Sequence, residues 1–258
     1  MSDAPILAVE GLCKSYGARI ACADVSFEIH PAEVVAIVGE SGSGKTTLLG
    51  CISGRVALDA GKVWYDTRSD GRVDLWSLGE ARRRLLGRTD FGYVHQNARD
   101  GLRADASAGA NIGERLMAGG ARHYGRIRAS AAQWMGKVEL DAVRIDELPP
   151  HFSGGMQQRL QIARNLVNAP RLVFMDEPTS GLDVSVQARL LDLLRGLALD
   201  MKLAVALVTH DLAVARLLAQ RMLVMREGRI VESGLTDQVL DDPQHPYTQL
   251  LVASALQG

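Results

Sequence analysis

Residues 39–46 read Gly39-Glu40-Ser41-Gly42-Ser43-Gly44-Lys45-Thr46, the pattern of a glycine, four residues, then Gly, Lys and Thr. The chemistry of such a stretch is anion capture. Successive backbone N–H groups can line a concavity that holds phosphate, and glycine removes the Cβ that would block close approach. Lys45 then supplies a point charge for the β- and γ-phosphates of a nucleotide, and the Thr46 hydroxyl is a ligand for Mg²⁺. A glycine-rich turn with a surface lysine would share this composition, so the flanking elements must decide.

Two further groups of residues carry chemistry. Leu172-Val173-Phe174-Met175-Asp176-Glu177 is an apolar run ending in two carboxylates. Ligands of open parallel sheets bind at the C-terminal ends of strands. Strand alternation would send Asp176 toward Mg²⁺ and Glu177 toward an attacking water as general base. Alone, the pair would read as two solvated acids. Ser153-Gly154-Gly155-Met156-Gln157-Gln158-Arg159 opens a helical pattern, and by itself is an N-cap with a flexible lead-in.

The elements that must position these groups follow from apolar spacing. Val34–Val38 is a short continuous apolar run, as in a strand buried on both faces, and a helix is expected over Thr46–Ser53. Strand, glycine loop and helix therefore stand in the order a phosphate loop needs. Strands are expected at Ile6–Val9 and Val25–Ile29, with Gly11 and Gly17 as turns between them. From Leu78 to Glu147 the spacing is helical. Helix Gln157–Val167 ends before Pro170. Strand Leu172–Met175, helix Val184–Leu199, strand Leu203–Val208, helix Leu212–Ala219 and strand Met222–Met225 then alternate. That alternation predicts an α/β fold around a parallel sheet.

In this order the motifs resemble the ATP-binding cassette (ABC) ATPases, over Tyr16 to about Gly234, with Ser153-Gly154-Gly155 as the family signature. The resemblance implies a RecA-like parallel-sheet core, an N-terminal antiparallel β subdomain and an inserted α-helical subdomain. The expected division is 1–95 for the β subdomain and phosphate-loop part of the core, 96–168 for the helical subdomain, 169–234 for the rest of the core and 235–258 for a helical tail.

The resemblance also implies roles for single residues. Tyr16 would stack on adenine, and Gly39, Ser41, Gly42, Ser43, Gly44, Lys45, Thr46 and Thr47 would hold the phosphates of ATP. Thr46, Gln96 and Asp176 would hold the Mg²⁺ that arrives with it. Glu177, His210, Gln96 and Lys45 would act in hydrolysis, His210 at the γ-phosphate. Ser153, Gly154 and Gly155 would grip the γ-phosphate bound by an opposite subunit, across a dimer interface crossed by the loop ending at Asp183. Taken singly, Tyr16, Gln96 or His210 would read as a core tyrosine, a surface glutamine or a satisfied histidine. Two cassettes, as a homodimer or a heterodimer with a second ABC ATPase, would close over two ATP molecules and reopen on hydrolysis.

The tail Asp242-Pro243-Gln244-His245-Pro246-Tyr247-Thr248-Gln249-Leu250-Leu251 resembles that of ATPases serving oligopeptide and nickel importers, a group that also tolerates Met156 where many members have glutamine. The segment after Gln96 departs from that group, which has an aromatic residue before the glutamine and Ser-Leu-Asn-Pro soon after. Here the chain reads His95-Gln96-Asn97-Ala98-Arg99-Asp100-Gly101-Leu102-Arg103 and then Ala110-Asn111-Ile112-Gly113-Glu114-Arg115-Leu116-Met117. With Gly120–Gly125 and Leu172–Thr179, it is similar to the ATPases of the bacterial carbon–phosphorus lyase system. This implies docking on the soluble carbon–phosphorus lyase core subunits that degrade phosphonates, with an importer ATPase as the alternative.

Composition supports these classes by exclusion. The chain has 258 residues, 47% hydrophobic and 23% charged, as expected for one globular domain with or without a subdomain. Its 29 Lys plus Arg against 30 Asp plus Glu give a net charge of -1 and no nucleic-acid footprint. The run Arg82-Arg83-Arg84-Leu85-Leu86-Gly87-Arg88 reads as a solvated helix face rather than a basic patch for DNA or RNA. No apolar stretch approaches the roughly 18 residues that span a bilayer, so no direct membrane insertion is expected. The start, Met1-Ser2-Asp3-Ala4-Pro5, lacks the pattern of a secretion signal, and a cytoplasmic location is expected. Cys13, Cys22 and Cys51 have no paired spacing and read as packing residues, unable to supply an iron–sulfur site. His30, His95, His123, His151 and His245 have no ligand spacing, and no metal is assigned to them.

Overall fold

The computed structural model describes residues 4–255. Met1–Asp3, where the expected cytoplasmic start lies, and Leu256–Gly258, the end of the expected tail, fall outside the described residues.

The first two elements along the chain are strands, β1 over Leu7–Tyr16 and β2 over Arg19–Ile29, joined by a tight hairpin at Gly17. The expected short strands are thus parts of two long ones. Gly11 is not a turn between them. It sits inside β1 at a register shift, with φ +60°, and acts as a bulge. Strand β3, Val34–Val38, leads through the glycine loop into helix α1, Lys45–Ile52. Strands β4, Ala60–Thr67, and β5, Gly71–Asp74, follow, then α2, Glu80–Thr89, and β6, Phe91–Val94. β6 corrects the expectation of continuous helix from Leu78 to Glu147.

The helical insertion comes next: α3, Ala98–Gly101; α4, Ala108–Ala118; α5, Tyr124–Lys137; two 3₁₀ turns, Ala142–Asp146 and Pro149–His151; and α6, Gly154–Leu166. The chain returns to the sheet in β7, Leu172–Asp176. It then continues as α7, Val184–Asp200; β8, Ala204–Val208; α8, Leu212–Leu218; β9, Arg221–Arg226; and β10, Arg229–Leu235. Helices α9, Thr236–Asp241, and α10, Pro246–Ala255, end the described chain.

The strands make two sheets. An antiparallel sheet has the order β2-β1-β4-β5, and a six-stranded sheet has the order β10-β9-β3-β8-β7-β6. In the second, β3, β6, β7, β8 and β9 run parallel, and β10 pairs antiparallel with β9. The parity of each central strand divides its side chains between two cores. Val34, Ala36 and Val38 face the core shared with the helices, together with Val173, Met175, Val205 and Leu207. Val35, Ile37, Leu172, Phe174, Ala204 and Ala206 face the second core, closed by the antiparallel sheet. Every residue of β3, β7 and β8 is buried, which is why these strands read as unbroken apolar runs.

Helix α1 is held in that second core by Leu48, Leu49, Cys51 and Ile52. Each fully buried leucine or isoleucine there contributes about 1.5–3 kcal/mol. Cys22 packs beside them. Burial pushes its thiol up to about 12 and that of Cys51 up to about 11, so both act as apolar filling. Among the described residues no helix is long and apolar enough to cross a membrane.

Candidate functional site

The glycine loop connects a rigid strand to a rigid helix, and two of its glycines are sterically required. At Gly39, φ +147°, a Cβ would lie 2.1 Å from the Met225 carbonyl oxygen; at Gly44, φ +105°, it would lie 2.0 Å from that of Ala21. Neither contact can be relieved without moving β9 or β2, so the loop is clamped between both sheets.

Within the loop the Lys45 ammonium is buried, and Nζ donates to the carbonyl oxygens of Gly39 and Glu40, each at 2.7 Å. Burial pushes Lys45 below its ordinary value, opposed by the carboxylates of Glu177, Asp176 and Glu40. Lys45 carries three N–H donors, and the remaining one reaches Ser43 Oγ only at 3.5 Å. That weakly held donor is the one free to meet a phosphate oxygen.

Thr46 Oγ1 donates to Asp176 Oδ1 at 3.2 Å, joining the first turn of α1 to the end of β7. Burial holds the Asp176 carboxyl above the usual carboxylate range, with the Thr46 hydrogen bond and Lys45 opposing. A hydroxyl and a carboxylate side by side, both hard oxygen donors, suit Mg²⁺, which takes few protein ligands and completes its shell with phosphate and water.

Strand alternation does not set the directions of the two acids. β7 ends at Asp176, and Glu177 has φ +44°, a left-handed backbone that is costly for a non-glycine residue. Its N–H donates to the Val208 carbonyl at 2.9 Å, which fixes the turn. The twist carries the Glu177 carboxylate into the same cleft as Lys45 and Thr46. There Glu177 Oε2 lies 2.8 Å from His210 Nδ1, delivered by the loop after β8. A carboxylate accepts, so Nδ1 is the donor in this contact.

The cleft has a volume of about 530 Å³, and Ser41, Gly42, Gly44, Lys45, Thr46, Thr47, Gln96, Glu177 and His210 all line it. Ser43 lies beneath, buried, and Gln96 Nε2 donates to Ser180 Oγ at 3.2 Å on the cleft's rim. Tyr16 is not a lining residue; it closes β1 at the hairpin, paired with Arg19, its ring half exposed. Two lining residues escaped the sequence reading. Arg19 donates from Nη2 to the Gly42 carbonyl at 3.2 Å and brings a second cation to the loop; Ser180 partners Gln96.

The signature residues do not line this cleft. Ser153 caps α6, its Oγ accepting from Met156 N–H at 3.4 Å, and Gly154 borders a neighbouring hollow that shares Gln96 and Ser180 with the cleft. A Cβ on Gly155 would lie 2.5 Å from Val186 Cγ1, so glycine lets α6 approach α7. Asp183, exposed, precedes α7 and the 85% exposed Val184. The N-terminal end of α6 is exposed at Ser153 and Gly154, where the first N–H groups of a helix lack intrahelical partners and can meet an anion.

Helix α6 is tied to the strand leading into Gln96. His95 N–H donates to Gln161 Oε1 at 2.6 Å, and the His95 carbonyl accepts from Gln158 and Gln161, each at 3.2 Å. The His95 ring lies against Tyr93, with Nε2 3.1 Å from Arg55 Nη1. Burial, then the Arg55 charge, push His95 down to about 4. It is therefore a neutral acceptor for Arg55.

Comparison with known proteins agrees with this geometry. The chain matches the ABC transporter family over residues 22–180. It is 64% identical, over 98% of its length and 99% of the relative's, to an Escherichia coli (strain K12) ATP-binding protein named for phosphonates utilization, PhnK. It is 37% identical, over 98% of its length and 78% of the relative's, to a Brucella ovis ATP-binding protein named for peptide import. Among solved structures it is similar to the dimeric post-hydrolysis state of the ATP-binding cassette MJ0796 bound to ADP and Pi. There the TM-score is 0.79 and the identity 29%, covering 89% of this chain and 98% of that one. A phosphate loop clamped between two sheets, an acid pair beside it and a helix-capping signature, in a chain with these relatives, belong to an ATP-hydrolysing member of the ABC family.

Proposed function

We propose that this ATPase energises phosphonate breakdown, working as an ATP-closed pair of cassettes that docks on the soluble carbon–phosphorus lyase core in the cytoplasm. The observation that carries this reading is the 64% identity, over nearly the whole of both chains, to the ATP-binding protein named for phosphonates utilization. Peptide-import relatives stand at 37%. The rewritten segment after Gln96, where the importer-type sequence is absent, supports the same choice.

Each site residue has a proposed role. Tyr16 stacks on adenine. The loop N–H groups, Lys45 and Arg19 hold the phosphates, and Thr46, Asp176 and Gln96 would hold Mg²⁺, which would supply charge neutralisation at the phosphates. Glu177 takes the proton from the attacking water while His210, donating from Nδ1, orients the Glu177 carboxylate; a contact of Nε2 with the γ-phosphate takes a ring protonated at both nitrogens, in which Nε2–H donates. Ser153, Gly154 and Gly155 are displaced from their own cleft, which fits a role on the nucleotide of a second cassette, homomeric or heteromeric, with Asp183 at the seam. Hydrolysis then removes the charge that bridges the pair, and the resulting opening moves the docked partner. The phosphates occupy the 39–47 loop of one chain and the start of α6 of the other.

Tagging the chain at its native locus and identifying what co-purifies from soluble and membrane fractions tests the assignment. Soluble phosphonate-degrading subunits are expected. A membrane permease in their place would establish the importer alternative.

A further inference from the structure

We infer that Tyr247, near the C-terminus, is a positioning residue for the phosphate loop. Its hydroxyl accepts a hydrogen bond from the Glu40 backbone N–H at 3.0 Å, across 207 positions of sequence. That N–H belongs to the Gly39–Glu40 peptide, whose carbonyl accepts from Lys45 Nζ at 2.7 Å. Tyr247 hydroxyl, peptide and Lys45 ammonium therefore form one chain of hydrogen bonds. In such a chain each bond polarises the next. Holding the peptide from its N–H side fixes the direction of its carbonyl, and the carbonyl fixes which Lys45 donor remains for phosphate.

The tail is built to deliver this hydroxyl. Glu232 on β10 accepts from the backbone N–H groups of Gln244 and His245, at 2.8 and 3.0 Å. His245 Nδ1 accepts from the Tyr247 N–H at 3.1 Å. The Tyr247 ring is 5% exposed and lies under the Arg226 guanidinium, 5.1 Å from the ring centroid. β10, the His-Pro turn and α10 thus form a strap from the sheet edge to the loop. This gives the tail sequence a use at the phosphate loop that an importer ATPase and a lyase ATPase would share.

The inference rests on ATP binding in the 39–47 loop and is independent of the partner. Tyr247→Phe keeps the ring and removes only the acceptor. Loss of one hydrogen bond of this kind predicts a KM for ATP about three- to ten-fold higher, with kcat within about two-fold. Equilibrium titration with ATP should show the same loss of affinity, and the thermal midpoint without nucleotide should stay within a few degrees. Glu232→Gln, which loosens the strap without touching Tyr247, should raise KM in the same direction by less. An unchanged KM and ATP affinity in Tyr247→Phe would overturn the inference, and a lowered midpoint with unchanged affinity would assign Tyr247 to packing alone. If the parent chain failed to bind ATP at all, the reading of the cleft itself would fall.

Discussion

His210 Nδ1 and Glu177 Oε2 meet at 2.8 Å although they come from the ends of two different strands, β8 and β7. The contact exists because Glu177 leaves the strand with φ +44°. It holds the carboxylate in one orientation. His210→Ala should therefore lower ATP turnover on the order of 10²-fold with little change in ATP affinity. Steady-state kinetics beside equilibrium binding checks this; an equal loss in both would make His210 a binding residue only.

Asp176 shows a conflict between stability and function. Burial raises its pKa in the folded chain, so the folded state resists ionisation, and the cost is present at neutral pH and relieved as pH falls. Asp176→Asn retains an acceptor for Thr46 and removes the buried charge. It should raise the nucleotide-free thermal midpoint while abolishing Mg²⁺-dependent hydrolysis. Thermal denaturation and ATPase assays measure the two effects separately.

His95 contributes a pH dependence of known sign. Its folded pKa is pushed down to about 4, below the unfolded value near 6.5. The stability it confers is complete above about pH 6.5 and is lost as pH falls from there toward about 4. His95→Gln should flatten the fall of the thermal midpoint across that interval. An unchanged slope would mean that another group governs the acid limb.

Ser153 caps α6 from an exposed position, so a large cation there disturbs an interface more than a core. Ser153→Arg should leave the monomer folded and abolish ATP-dependent dimers in sizing experiments. Dimers of the variant with ATP would contradict closure through the signature.

Much of the site was legible because its chemistry lies in contiguous runs. The 39–46 loop, Leu172–Glu177 and the residues from Ser153 onward each carry both their chemistry and their element. The unbroken apolar character of β3, β7 and β8 likewise announced burial on both faces. What was not legible depends on distance in sequence or on weak local pattern. β6 is four residues long, contains Gly92, and follows the arginine-rich α2. β4 alternates buried Val63, Tyr65 and Thr67 with the more exposed Lys62, Trp64 and Asp66, a period-two pattern too short to stand out beside the helical spacing that follows. Gly11 marked a bulge because a positive φ serves a turn and a bulge equally well. Arg19 at the loop, Gln161 on His95 and Tyr247 on Glu40 join residues that no spacing rule connects.

Glu177→Gln gives the most direct test of the central claim, that this cleft hydrolyses ATP with Glu177 as the base that activates water. Single-turnover hydrolysis and ATP affinity should be measured on parent and variant. The account predicts unchanged ATP binding, hydrolysis slower on the order of 10²-fold or more, and dimers that persist in ATP. Hydrolysis at the parent's rate would contradict it.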